Sequence, residues 1–247
     1  SIADDPTRIV RAARYSARLN LNLDSDSRAQ IISTISEWPW LSIDKQRKRK
    51  PEKSMAIRLK MELFILFNES CWERALEIFS NLNGFMLLDK QIHLNKRNAY
   101  RVKKAIKLSI DPLTALILVA QNPSSLGERL QIKQSDLNSI KEVKEIEKFI
   151  GKTFKDNKYT KWTPADWSSQ IESNNWSSNS IALAICKEVK IWRILFRWWR
   201  YWRFVKSPVK GDDLIKNGSP KGEYIGEELK RLRYQEIDNK YLNKSRI

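Results

Sequence analysis

Apolar residues recur three and four positions apart nearly throughout this 247-residue chain, and strict alternation of apolar and polar positions is hard to find. Leu59, Leu63, Leu66 and Phe67 show the pattern. A period near 3.6 places such residues on one helix face, where they can be buried together. The pattern predicts an all-α chain with helices near 6–20, 27–38, 53–69, 71–83, 92–107 and 111–121. It continues with helices near 135–150, 164–173, 177–204, 211–217 and 223–236. Turn-forming clusters separate these segments: Trp38-Pro39-Trp40, Asn122-Pro123-Ser124-Ser125, Thr163-Pro164, Ser207-Pro208 and Asn217-Gly218. Candidate boundaries lie at Asn122–Gly127 and in the Lys-rich, weakly apolar stretch Gly151–Thr163.

Charge narrows the class of partner. Forty-six Lys and Arg against 29 Asp and Glu give a net charge of +17. Such a surplus suits a polyanion, nucleic acid first, without separating RNA from DNA or from an anionic membrane. Cys71 and Cys186 stand alone, which fits a reducing compartment and argues against a disulfide scaffold. No signal-peptide pattern is read, and a cytoplasmic setting is expected. With one histidine, His93, neither a His-rich metal site nor a histidine-based triad can be assembled with confidence. None of the seven glycines belongs to a Gly-rich phosphate loop.

Candidate chemistry concentrates at the start. Asp4-Asp5-Pro6 is followed by Arg8, Arg11 and Arg14. Pro6 suits a first helical turn, because its missing N–H bond costs nothing there, and Asp5 precedes it as an N-cap. Spacings of three set the arginines along one drifting stripe, with Ile9, Val10, Ala13 and Ala17 turned away. A carboxylate beside a row of guanidinium forks can hold a base edge and a polyphosphate. A capped amphipathic helix with solvated arginines is the plainer alternative.

Two later segments also carry charge in a pattern. In Ile191–Val205, Arg193, Arg197, Arg200 and Arg203 fall on one helical face, with Trp192, Leu195, Phe196, Trp199, Tyr201 and Trp202 over much of the rest. A charge every three or four residues rules against a membrane span. Three readings remain: a buried core helix with snorkelling arginines, an arginine ridge tracking RNA, and a helix lying on an anionic membrane. Burial with some RNA contact is preferred. Near the C-terminus, Gly218 and Gly222 allow a turn whose backbone comes close to a partner, and Lys216 and Lys221 flank the next helix start. Free N–H groups and the positive dipole end there suit a phosphate. Alternatively, Gly222 and Gly226 permit close helix packing. The basic stretch 46–51 reads equally as a phosphate contact or a solvated loop.

The opening motif, Asp4-Asp5-Pro6-Thr7-Arg8 with Arg11, Arg14, Tyr15 and Ala17-Arg18-Leu19, resembles the neck helix of bacterial class II tRNA nucleotidyltransferases and related poly(A) polymerases. Arg58 and Glu62, then Trp72–Glu77 and Gly84–Leu88, resemble that family's neck and body helices. Gly211–Gly218 continuing into Lys221–Leu229 resembles its tail. The stretch from Lys90 to Val205 has no residue-by-residue match. The resemblance implies a neck and start of body over 1–88, a helical body over 89–205 and a tRNA-binding tail over 206–247. It implies that Asp5 and Arg8 bond the Watson–Crick edge of CTP or ATP, that Asp4 orients Arg8, and that Arg11 and Arg14 meet the triphosphate. Arg193, Arg197, Arg200, Lys216, Lys221 and Gly222 are the expected RNA contacts, and the tail is expected to grip the tRNA elbow.

The family's catalytic head, with its metal-binding Asp-x-Asp, lies N-terminal to the acidic-Arg helix and is not found here. Asp24-Ser25-Asp26 has the letters but reads as a turn and N-cap. Mg2+ is therefore expected only with a head domain or separate head subunit, and the chain alone is expected to be inactive. The alternatives are a poly(A) polymerase of the same family and a non-catalytic RNA-binding protein, with no membrane partner preferred.

Overall fold

The computed structural model describes residues 2–37, 53–155, 158–218, 220 and 222–242. The turn 38–40, the basic stretch 46–51 and Lys221 lie outside the described residues. Among the described residues there are thirteen α-helices and no strand. The first seven are α1 Arg8–Leu19, α2 Ser25–Ser36, α3 Lys53–Asn68, α4 Trp72–Asn81, α5 Lys96–Lys107, α6 Pro112–Ile117 and α7 Pro123–Arg129. The others are α8 Gln134–Lys155, α9 Pro164–Ser173, α10 Ser178–Lys187, α11 Trp192–Arg200, α12 Gly211–Lys216 and α13 Glu223–Tyr241. Short three-ten turns cover Gly84–Leu87, Lys158–Lys161 and Trp202–Phe204.

Side-chain caps set many of these boundaries. Asp24 caps α2, accepting from the Ser27 N–H and hydroxyl, both at 2.8 Å. Thr163 and Asp166 form a reciprocal capping box at α9, with Pro164 in the first turn. The same chemistry corrects the reading of Asn122–Ser125 as a turn. Asn122 accepts from the Ser125 N–H, Pro123 fills the first turn, and α7 follows. The helix predicted over 177–204 is two helices. Glu188 ends α10 in the left-handed region at φ 59°, and its N–H returns to the Ala184 and Ile185 carbonyls. That conformation costs a non-glycine residue roughly 1–2 kcal/mol. Full burial of Ile181, Leu183 and Ile185 outweighs it, at roughly 1.5–3 kcal/mol per large aliphatic side chain.

The chain divides into two compact units, Ser1–Lys141 and Glu142–Ile247. In the first, α1 packs along α4 and also touches α3. Its buried residues include Ile9, Val10, Ala13 and Ala17, and α4 buries Ala75, Leu76 and Phe79. Phe79 meets Phe85 edge-on, with ring centroids 5.1 Å apart. Gly84 lies directly beneath that pair, and a Cβ there would overlap the buried Phe79 ring. Gly84→Ala is expected to destabilise the protein by about 1–3 kcal/mol through overpacking. At exposed Gly226, where a Cβ meets nothing within 4 Å, alanine is expected to be neutral or stabilising by about 0.5–1 kcal/mol. Thermal melts of the two variants check the pair: equal shifts would contradict this packing.

In the second unit α13 packs on α9, α10 on α11, and α12 on α13. One carboxylate ties three of these helices together. Glu172 of α9 accepts a two-pronged contact from Arg233 of α13, both distances 2.8 Å. It also accepts from Trp198 Nε1 of α11 at 3.1 Å and the Tyr234 hydroxyl at 3.1 Å. Arg233 Nε donates onward to the Val205 carbonyl at 2.7 Å. The arginine-bearing helix and the last helix are thus held to one anchor.

Candidate functional site

The N-cap of α1 is Thr7, two residues later than the sequence predicts, and Thr7 is itself held by Asp5. Asp5 Oδ1 accepts from the Thr7 N–H at 3.2 Å and the Thr7 hydroxyl at 2.6 Å. Pro6 occupies the position where no donor is needed, and the Arg8 N–H reaches the Asp5 carbonyl at 3.0 Å. Asp5 Oδ2 lies 3.3 Å from Arg58 Nη1 of α3. Burial pushes the Asp5 carboxyl up, but the Thr7 bonds and the charges of Arg58 and Arg11 outweigh it and hold the group below its ordinary range. Asp5 is accordingly an anion and a hydrogen-bond acceptor at neutral pH.

The three arginines of the motif take different places. Arg8 and Arg11 are exposed, while Arg14 is only 8 % exposed. Arg11 Nε bonds Glu62 Oε1 at 2.6 Å, and this contact raises the Arg11 pKa above its already high value. Arg14 Nη1 bonds the other Glu62 oxygen at 2.9 Å. Arg14 Nε and Nη2 both reach Glu69 Oε1, at 3.2 and 3.0 Å. Asp5, Arg58, Glu62, Arg11, Arg14 and Glu69 therefore form one alternating charge ladder between α1 and the face of α3. Asp4 is exposed beside it. Tyr15, 45 % exposed, carries the Arg18 guanidinium 4.9 Å from its ring centre.

Helix physics makes this arrangement informative. The first turn of α1 contains no acidic residue, and Arg8 opens it. A cation at a helix N-terminus opposes the macrodipole and costs a few tenths of a kcal/mol. Arg11 is placed there by its pairing with Glu62, and Arg8 is exposed at the helix start, where an anionic ligand can reach it. Arg58 and Glu62, four apart, mark one face of α3, and Glu69 follows just past its end, so this part of the ladder has a sequence signal. Its pairing with α1 does not.

In the second unit Arg193, Arg197 and Arg200 lie along α11 at helical spacing. Arg193 and Arg200 are exposed and Arg197 is half-buried. The tryptophans divide: Trp198 and Trp202 are buried at 8 % and 2 % exposure, and Trp199 is half-buried. Lys216 ends α12, exposed. Gly218 and Gly222 have φ of 88° and 108°, so the turn between α12 and α13 needs glycine at both places. A Cβ at Gly222 or Gly226 would touch nothing within 4 Å, so neither is there for close packing inside the described chain. Gly222 is the N-cap of α13 and makes no side-chain cap bond.

Among the described residues no three His, Cys, Asp or Glu side chains come together as a metal site. Asp24 is committed to Ser27, and no metal-dependent step is assigned to these residues. No helix among the described residues is long and apolar enough to cross a membrane.

The fold that these units define is that of CCA-adding enzymes. A CCA-adding enzyme solved in complex with CTP matches with a TM-score of 0.63 at 15 % identity, over 96 % of this chain and 57 % of that one. The Thermotoga maritima CCA-adding enzyme complexed with tRNA matches with a TM-score of 0.64 at 16 % identity, over 97 % and 58 %. A structure described as a tRNA-processing enzyme with CTP matches with a TM-score of 0.61 at 16 % identity, over 96 % and 64 %. The chain thus spans less than two thirds of the length of these solved structures. No family model and no curated protein matches the sequence.

Proposed function

We propose that this chain is the base-selecting and tRNA-holding part of a tRNA nucleotidyltransferase that adds CMP, AMP or both to tRNA 3′ ends. The observation that carries this reading is the α1–α3 ladder: an anionic Asp5 acceptor beside exposed Arg8, on the fold shared with enzymes solved with CTP and ATP. Asp5 accepts from the exocyclic amine that cytosine and adenine both carry on the Watson–Crick edge, and Arg8 donates to the neighbouring ring nitrogen. Guanine and uracil present the opposite pattern of donors and acceptors there and are rejected. Asp4 orients Arg8. Arg11 meets the triphosphate, while Arg14, buried against Glu62 and Glu69, holds α1 in place rather than meeting phosphate.

Residues 1–88 act as neck and start of body, 89–205 as body and 206–247 as tail. Arg193, Arg197, Arg200, Lys216, Lys221 and Gly222 hold tRNA phosphates. Mg2+ chemistry is assigned to a catalytic head, as a companion domain or subunit. The chain without that head transfers no nucleotide. The test is to join it to the head of one of its structural neighbours and supply each nucleoside triphosphate in turn. Incorporation of CMP or AMP well above GMP and UMP is expected; incorporation without preference would overturn the assignment of base selection to α1.

A further inference from the structure

We infer that Tyr201 and Phe204 form a stacking platform for an unpaired RNA base, an inference that rests on the RNA-binding reading above. Among the aromatic residues of the Trp/Arg segment these two are turned outward, Phe204 at 61 % exposure and Tyr201 at 47 %. The cause is local. The α-helix stops at Arg200, and the chain passes through the three-ten turn Trp202–Phe204. The Phe204 N–H bonds the Tyr201 carbonyl at 3.2 Å, closing a turn between the two residues. Trp202 is thereby driven into the core, while Tyr201 and Phe204 come to one outer side.

The platform is held in place before any ligand arrives. The Arg203 guanidinium sits between two rings, 4.9 Å from Trp199 and 4.6 Å from Phe204, and is tied to the Ser178 hydroxyl. Phe204 remains mostly exposed, so its ring keeps an open face. Tyr201 lies 6.4 Å from Tyr241 of α13. Together with Lys206, Pro208 and Lys240, these rings line an open groove of about 500 Å3, in the size range of small-ligand sites.

Charge selects the occupant. Lys206 and Lys240 line the groove, and Arg200 lies 5.7 Å from the Tyr201 ring centre. Glu236, the carboxylate among the lining residues, and Lys240 neutralise each other at 2.9 Å, so the positive charge of the rim comes from Lys206 and the nearby Arg200. Open aromatic faces within a cationic rim bind single-stranded nucleic acid, because every base has a π-face and every linkage a phosphate. A duplex offers no such face along its length.

The test uses the whole chain and two RNAs of equal length: a single strand carrying one 2-aminopurine, and a fully paired hairpin. The expected result for Phe204→Ala is about a tenfold or greater loss of single-strand affinity, from the usual worth of one stacked base. Hairpin affinity and the salt slope stay unchanged, since no charge is removed, and 2-aminopurine quenching falls. Phe204→Trp restores binding. Unchanged single-strand affinity in Phe204→Ala and Tyr201→Ala, while the chain still binds RNA, overturns the platform alone. Absence of RNA binding by the unaltered chain overturns the platform together with the RNA reading. Loss of binding to phosphatidylserine vesicles in place of RNA overturns it in favour of a membrane surface.

Discussion

Glu172→Ala is expected to destabilise the second unit by about 2–3 kcal/mol. Charge-assisted hydrogen bonds contribute about 1.5–3 kcal/mol each when buried, and a half-buried site realises only part of that. Removing the carboxylate leaves Arg233, the Tyr234 hydroxyl and Trp198 Nε1 without the acceptor they share. Because those donors sit on α13 and α11, the loss also loosens the helices that carry Arg193–Arg200 and follow Gly222. The pH dependence has a definite sign. Burial pushes Glu172 up, but its bonds from Arg233, Trp198 and Tyr234 and the Arg233 charge win, so its folded pKa lies below the ordinary 4.5. A depressed carboxyl pKa contributes stability above the unfolded value and loses it as pH falls through the folded one. Denaturant unfolding from pH 7 to pH 3 is therefore expected to show a larger acid loss in the natural chain than in Glu172→Gln. Identical pH profiles would contradict this role.

Arg8→Ala is expected to reduce discrimination of CTP and ATP against GTP and UTP by roughly 10- to 100-fold, the worth of one hydrogen bond to a charged group. The measurement is nucleotide incorporation by the head-joined protein. Folding is expected to survive the change, since Arg8 is exposed and its side chain fills no part of the core. A melting temperature equal to or above that of the natural chain, with lost selection, assigns Arg8 to the ligand. Retained selection would show that the base is read elsewhere.

The two results would bear on features of unequal visibility in the sequence. Asp5 and Pro6 place the start of α1 to within two residues, because capping is local, although the cap falls on Thr7. The bounds of α9 were legible for the same reason, through Thr163 and Pro164. Where local chemistry is silent, the reading failed: Glu188 takes a left-handed conformation without being Gly or Asn, so nothing marked the break between α10 and α11. Gly151 suggested an end for α8, yet the helix continues to Lys155. Long-range pairs were the least visible. Arg14 looks like its neighbours Arg8 and Arg11 in sequence, and only Glu62 and Glu69, 48 and 55 residues away, withdraw it from the surface. Glu172 and Arg233 lie 61 residues apart on helices with no pattern linking them. A stripe of arginines at regular spacing therefore says which face they share, and not which of them a partner carboxylate has already claimed.

The central claim, a tRNA nucleotidyltransferase body rather than a general basic protein, is tested most directly by equilibrium binding of this chain to RNA across a salt series. The two ligands are a tRNA lacking its 3′ CCA and a hairpin of similar charge. Phosphate contacts weaken both complexes as salt rises. The account predicts a clear preference for the tRNA that persists as the non-specific part is screened away. Equal affinities that fall together with salt would contradict it and leave only a basic helical RNA binder.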